Sequence, residues 1–167
     1  MYKIAIIGSG PEHFSNKESV SLSVERVVDL LGFQYGKKDV VFNVISRIGI
    51  GLWAAASAKK QGYKYHIYLP YPVEDVGEHW YDDQKKLLRV CINGAYSITS
   101  CYSNKNHKDH SYKNLIDNSN FIICFWIGKK QGYTYESIQY ALKTNKLILD
   151  GLNDLKLITN KDIKRKK

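Results

Sequence analysis

Three short loops in this sequence carry residues able to hold an anion. The first, Gly8-Ser9-Gly10-Pro11, directly follows the apolar run YKIAII at residues 2–7. Small residues there let backbone N–H groups approach a phosphate, and the Ser9 hydroxyl adds a donor. Position 13 is His rather than Gly, so the dinucleotide spacing GxGxxG is not met, and Pro11 removes one donor. A bare turn accounts for the same residues. The second loop, Ser46-Arg47-Ile48-Gly49-Ile50-Gly51, leads from an apolar run into a helix-forming stretch. A helix start exposes unpaired N–H groups and a partial positive charge, which suits an anion. Arg47 can add a bidentate contact. The glycines also permit close packing of helix on sheet, and both uses can hold together. The third loop runs from Trp126 to Glu136 and includes Gly128, Lys129, Lys130, Gly132, Tyr133 and Thr134. Thr134 suits an N-cap or a phosphate donor. Glu136 can accept from a ribose hydroxyl or complement the helix dipole. The two lysines are either ligand cations or solvated loop charges.

These loops need elements that bring them together. The pattern predicts strands at 2–7, 39–46, 64–72, 95–103, 120–127 and 146–150, where apolar and β-branched residues run together or alternate. Between them it predicts helices. In residues 19–31, Val20, Val24, Val27, Val28 and Leu31 fall at helical spacing, with Gly32 as the C-cap. Residues 49–61 are rich in Ala and Lys and end at Gly62. Residues 78–92 carry Trp80, Leu87, Leu88 and Cys91 on an apolar side, a candidate dimer interface. Residues 111–118 and 134–144 complete the set. Strand and helix alternate without repeat or linker. This predicts an α/β fold, a Rossmann-like three-layer α/β/α sandwich with a mostly parallel sheet, spanning residues 1–152 as a single domain. Residues 153–167 are expected as a polar, basic tail. In such a sheet the ligand sits at the carboxyl ends of the strands, where the three loops lie.

Length and composition agree. The chain has 167 residues, 44% hydrophobic and 25% charged, which excludes a disordered chain and a collagen-like one. No apolar run approaches the ~20 residues of a membrane span, and the first residues read as a strand rather than a signal peptide. Lys and Arg number 25 against 16 acids, a net charge of +9. Part of that excess sits at Lys161 to Lys167. The surplus permits a phosphate-bearing or nucleic-acid partner without demanding one, since heavy Lys use also follows from codon bias. Cys91, Cys101 and Cys124 are odd in number and form no CxxC pair, so a reducing, cytosolic setting is expected. His107, Asp109 and His110 lie close in sequence, but in a polar loop; no metal site is assigned and no cofactor is expected.

The combination of IAIIGSG, SRIGIGLWAAASAKK, IYLPYP, YKNLIDNSNFIICFWIG and GYTYESIQYALKTNKLIL resembles the SLOG superfamily over residues 2–150. That Rossmann-like group contains the LOG or lysine-decarboxylase-like phosphoribohydrolases, the DprA-like DNA-processing proteins and the YpsA-like proteins. The LOG pattern PGGxGTxxE is met at Gly132 and Glu136, but Tyr133 stands where Thr should follow Gly, and Trp126 to Lys130 does not restore PGG. The Arg that the resemblance places before the preceding helix end falls at Ser111, with Lys113 the nearest cation. The Asp of the GxD pattern is replaced by Gly51. Cleaving an N-glycosidic bond requires stabilising an oxocarbenium-like centre and protonating the leaving base. Glu136 without an Arg partner is a thin set for that task.

The resemblance therefore implies binding of a nucleotide or nucleotide-derived ligand by a sensor or sequestering protein, used in nucleotide signalling, defence or counter-defence. The expected ligand contacts are Gly8, Ser9, Gly10, Arg47, Gly49, Gly128, Lys129, Gly132, Tyr133, Thr134 and Glu136. Tyr133, Tyr135 or Trp53 would border the base. Two other functions remain open: a nucleoside 5′-monophosphate phosphoribohydrolase with Glu136 as its catalytic group, and a DprA-like binder of single-stranded DNA. A homo-oligomer is expected, and no membrane partner.

Overall fold

The computed structural model describes residues 1–75, 79–102 and 110–165, so His107 and Asp109 lie outside the described residues. Seven strands form one sheet: β1 (Tyr2–Gly8), β2 (Val40–Ile45), β3 (Lys64–Leu69), β4 (Ser97–Ser100), β5 (Phe121–Phe125), β6 (Leu147–Asp150) and β7 (Lys156–Leu157). Their order is β4-β3-β2-β1-β5-β6-β7. Every neighbouring pair is parallel except β6 with β7. The helices are α1 (Lys17–Tyr35), α2 (Ile50–Gln61), α3 (Asp82–Gly94), α4 (Ser111–Asp117), α5 (Tyr133–Lys143) and α6 (Asn160–Arg165). The chain is thus an α/β sandwich of the Rossmann-like kind.

The continuous apolar runs are explained by burial on both faces. In β1, Ile4 and Ile6 join the core beneath α1, α2 and α3, while Ala5 and Ile7 join the core beneath α4 and α5. In β5, Phe121, Ile123 and Phe125 face the first core, and Ile122 and Cys124 the second. The chain fills one half of the sheet, β1 to β4, and then returns to the far side of β1 with β5. Loops after β1 and β5 therefore diverge to opposite helical layers and leave a crevice at the carboxyl ends of those strands.

Four expectations from the sequence are corrected. Helix α1 does not end at Gly32. It starts at Lys17, where the Asn16 side chain accepts from the Ser19 N–H at 2.9 Å, and stops at Gly36, whose φ is +85°. Gly32 is internal because a Cβ there would overlap the Tyr63 ring. Strand β3 ends at Leu69, before the prolines, and β4 is only four residues long. The apolar side of α3 is turned inward: Leu88 and Cys91 are buried, and Trp80 precedes the helix and packs on the core. The expected tail is structured in part: β7 pairs antiparallel with β6, Ile158 is buried and Ile163 packs beside it. Leu155, Ile158 and Ile163 pack on the two cores and anchor it.

The three cysteines are buried and form no disulfide with one another. Burial pushes the Cys91 thiol up to about 11 and the Cys124 thiol well above its usual range. Near the β4 edge, His66 bridges two hydroxyls, with Nδ1 2.8 Å from Ser97 Oγ and Nε2 2.7 Å from Thr99 Oγ1, and stacks on Tyr68. Burial first, and the Lys3 charge second, hold its pKa below the ordinary 6.5. The unfolded chain therefore binds this proton more readily than the folded one. The resulting stability is complete above about pH 6.5 and is lost as pH falls through the lowered folded value. Urea midpoints should drop between neutral pH and pH ~5.5, and His66→Gln should flatten that slope. An unchanged slope in the variant would refute the assignment.

Candidate functional site

One cavity of about 730 Å³ opens at the carboxyl ends of β1, β2 and β5. That volume lies within the range typical of small-molecule sites. It receives all three glycine-bearing loops. Gly8, Ser9, Gly10, Arg47, Lys129, Gly132, Tyr133 and Thr134, from the residues expected to contact a ligand, line it. Gly49, Gly128 and Glu136 do not belong to the lining.

The glycines of the first two loops act mainly through packing. A Cβ on Gly8 would lie 2.6 Å from Ile50 Cγ1 and 2.9 Å from Phe125. A Cβ on Gly51 would overlap the Ile45 carbonyl oxygen. Gly49 adopts φ +96°, and a Cβ there would press on Pro11 Cδ at 2.9 Å. The first and second loops are therefore in contact. Ser9 ties the first loop to the third. Its N–H donates to the Phe125 carbonyl at 3.0 Å, and its Oγ accepts from the Ile127 N–H at 3.4 Å. The Ser9 amide, expected to meet a phosphate, instead extends the β1–β5 ladder.

Two helices aim their amino ends at this space. Gly49 and Gly132 occupy the N-cap positions of α2 and α5, and neither supplies a side chain to cap the helix. The first bonds inside these helices run from Trp53 N–H to Gly49 O at 2.9 Å and from Glu136 N–H to Gly132 O at 3.1 Å. The amides ahead of them have no partner within their helix, and the helix dipole makes each end partly positive. Lys17, Arg47 and Lys129 add full charges to the lining. The Arg47 guanidinium lies over the Tyr133 ring, 4.6 Å from its centroid. The Trp126 indole N–H donates to the Lys129 carbonyl at 2.9 Å, which fixes the turn, and Tyr135 stacks on Trp126 at 6.2 Å.

Glu136 is exposed and lies outside the lining. Thr134 points into the cavity, and at 100° per residue Glu136 lies about 200° round α5, exposed on its outer side. Trp53 packs against the core and Tyr135 against Trp126, so of the three expected base neighbours Tyr133 alone reaches the lining.

Sequence reasoning missed part of the lining. Glu12, His13, Tyr71, His79, Trp80, Tyr81 and Gln84 also line the cavity. Glu12 Oε1 and His13 Nε2 are 3.3 Å apart. Gln84 Oε1 accepts from the Tyr81 N–H at 2.9 Å. Tyr81 is 75% exposed, a large ring at the rim with little packed on it. One signal was available: Glu12 and His13 directly follow the first glycine loop. The aromatic cluster gave none, because Trp80 fits the apolar spacing of a helix that begins later. Among the described residues, no group of three His, Cys, Asp or Glu side chains is placed to hold a metal ion. Nor is any described helix long and apolar enough to cross a membrane.

No protein family and no curated protein matches this sequence. Solved structures do match its shape. DNA processing protein A (DprA) from Streptococcus pneumoniae is 18% identical, with a TM-score of 0.65 over 92% of this chain and 54% of its own. The chain thus spans about half the length of that protein. The Moco carrier protein of Chlamydomonas rheinhardtii is 13% identical, with a TM-score of 0.58 over 89% of this chain and 74% of its own. The molybdenum cofactor binding protein of the phototrophic bacterium Rippkaea orientalis is 15% identical, with a TM-score of 0.55 over 89% and 75%. The chain shares the Rossmann-like fold of these structures.

Proposed function

We propose that the chain binds a nucleotide or a nucleotide-derived small molecule in this cavity. The observation that carries the reading is the convergence of three loops on one space whose lining combines two kinds of chemistry. The amino ends of α2 and α5 with Lys17, Arg47 and Lys129 suit a phosphate. Tyr71, Trp80 and Tyr81 suit a planar ring. Glu12, between Gly10 and His13, is the one carboxylate among the described lining residues and can accept from sugar hydroxyls. Two of the similar structures are named for binding or carrying a cofactor, which agrees with a ligand-holding use of this fold.

Binding without turnover is favoured over N-glycosidic hydrolysis because Glu136 lies outside the cavity. Titration with nucleoside 5′-monophosphates, monitored by calorimetry and by chromatography for free base, tests both. Binding is expected without release of base. Glu136→Ala should leave affinity within about 2-fold, as a surface change outside the site, whereas Glu12→Ala should weaken it by roughly 5- to 10-fold through loss of a hydrogen-bond acceptor. Base release abolished by Glu136→Ala would instead establish the hydrolase. A DNA binder would show affinity for single strands that falls steeply with salt.

A further inference from the structure

We infer that the outer face of α1 pairs with the same face of a second copy of the chain, antiparallel and about a two-fold axis. The inner face of α1 is accounted for by Val24, Val27, Val28 and Leu31, all buried. The outer face carries Leu22 and Leu30, each 53% exposed, and Phe33, 86% exposed. Scattered apolar residues on a surface are ordinary. These are aligned. At 100° per residue, Leu22, Arg26, Asp29, Leu30 and Phe33 share a sector about 100° wide, running along roughly 16 Å of helix.

The identity of the partner follows from the charges. Laid antiparallel about the point between Val27 and Val28, one α1 sets Leu22 opposite Phe33 and Arg26 opposite Asp29 of the other. Each pairing then occurs twice, as an isologous dimer contact requires. A parallel arrangement would instead set Arg26 on Arg26 and Asp29 on Asp29. Glu25 is turned aside and pairs with Lys60 of its own chain at 2.8 Å, so it does not compete for Arg26. A shallow crossing of about 20° keeps both ends of the stripe in contact. Two helices alone form a small interface, so the dimer should dissociate in the micromolar range.

Sedimentation velocity over about 1–300 µM tests this. The unaltered chain should pass from monomer to dimer. Phe33→Ser should weaken association by about 10-fold or more, as loss of an aromatic anchor does. Arg26→Asp and Asp29→Arg should each weaken it, and the double variant should recover to within roughly 3-fold of the original, because the charges are only exchanged. These side chains are exposed, and Asp29 also accepts from the Tyr63 hydroxyl at 3.5 Å, so the melting temperature of each variant is measured to confirm that it folds. A chain that stays monomeric, a dimer indifferent to Phe33→Ser, or a double variant no better than its singles overturns the inference.

Discussion

Gly51→Ala should lower the melting temperature by roughly 5–15 °C, the largest stability effect expected from a single methyl in this protein. In an isolated helix the substitution would help, since Ala is better than Gly by about 1 kcal/mol. Here the added Cβ lands on the carbonyl oxygen of Ile45 and lies 3.2 Å from its carbon. Neither atom belongs to a side chain that can swing away. The Ile45 carbonyl accepts from the Arg47 N–H at 2.7 Å, so moving it breaks the turn that launches the second loop. Overpacking of this kind costs about 2–4 kcal/mol, which outweighs the helical gain. Thermal unfolding followed by circular dichroism gives the answer; a melting temperature equal to or above the original would show that α2 can slide off β2 at little cost.

Arg47→Ala should reduce affinity for a nucleoside 5′-monophosphate by roughly 10- to 150-fold while leaving the melting temperature nearly unchanged. Arg47 is half-buried at the cavity wall, with its guanidinium carbon 4.6 Å from the centroid of the Tyr133 ring at the amino end of α5. Charge-assisted bonds to a phosphate are worth about 1.5–3 kcal/mol, which gives that range. Arg47→Lys should fall between, because it keeps the charge and loses the fork. Calorimetric titration of the three proteins decides the matter. Equal affinity in all of them would place the anion elsewhere.

The sheet was legible because each central strand is covered twice. Runs such as IAII and FIICF need no partner information to be read as buried strands. Helix ends were less legible. Gly32 looks like a stop because glycine usually is one, and only the Tyr63 ring, distant in sequence, shows why it sits inside a helix. The site was read to the extent that it follows strand ends: the three loops were found from apolar runs breaking into glycine. The ring-bearing part of the lining was not, since Trp80 and Tyr81 precede a helix whose start cannot be placed within a turn from pattern alone. Glu136 shows the opposite error. A motif-based expectation carried it inward, and the helix start at Tyr133 turns it outward.

Ser9 and Gly49 have a further consequence. Through the Ile127 amide and Pro11 they clamp the three rim segments to one another before any guest arrives. In these three segments little chain has to be ordered by a bound molecule, so their share of the entropic cost is low. A molecule whose shape demanded a wider mouth would have to pull the first strand from the fifth at their shared end.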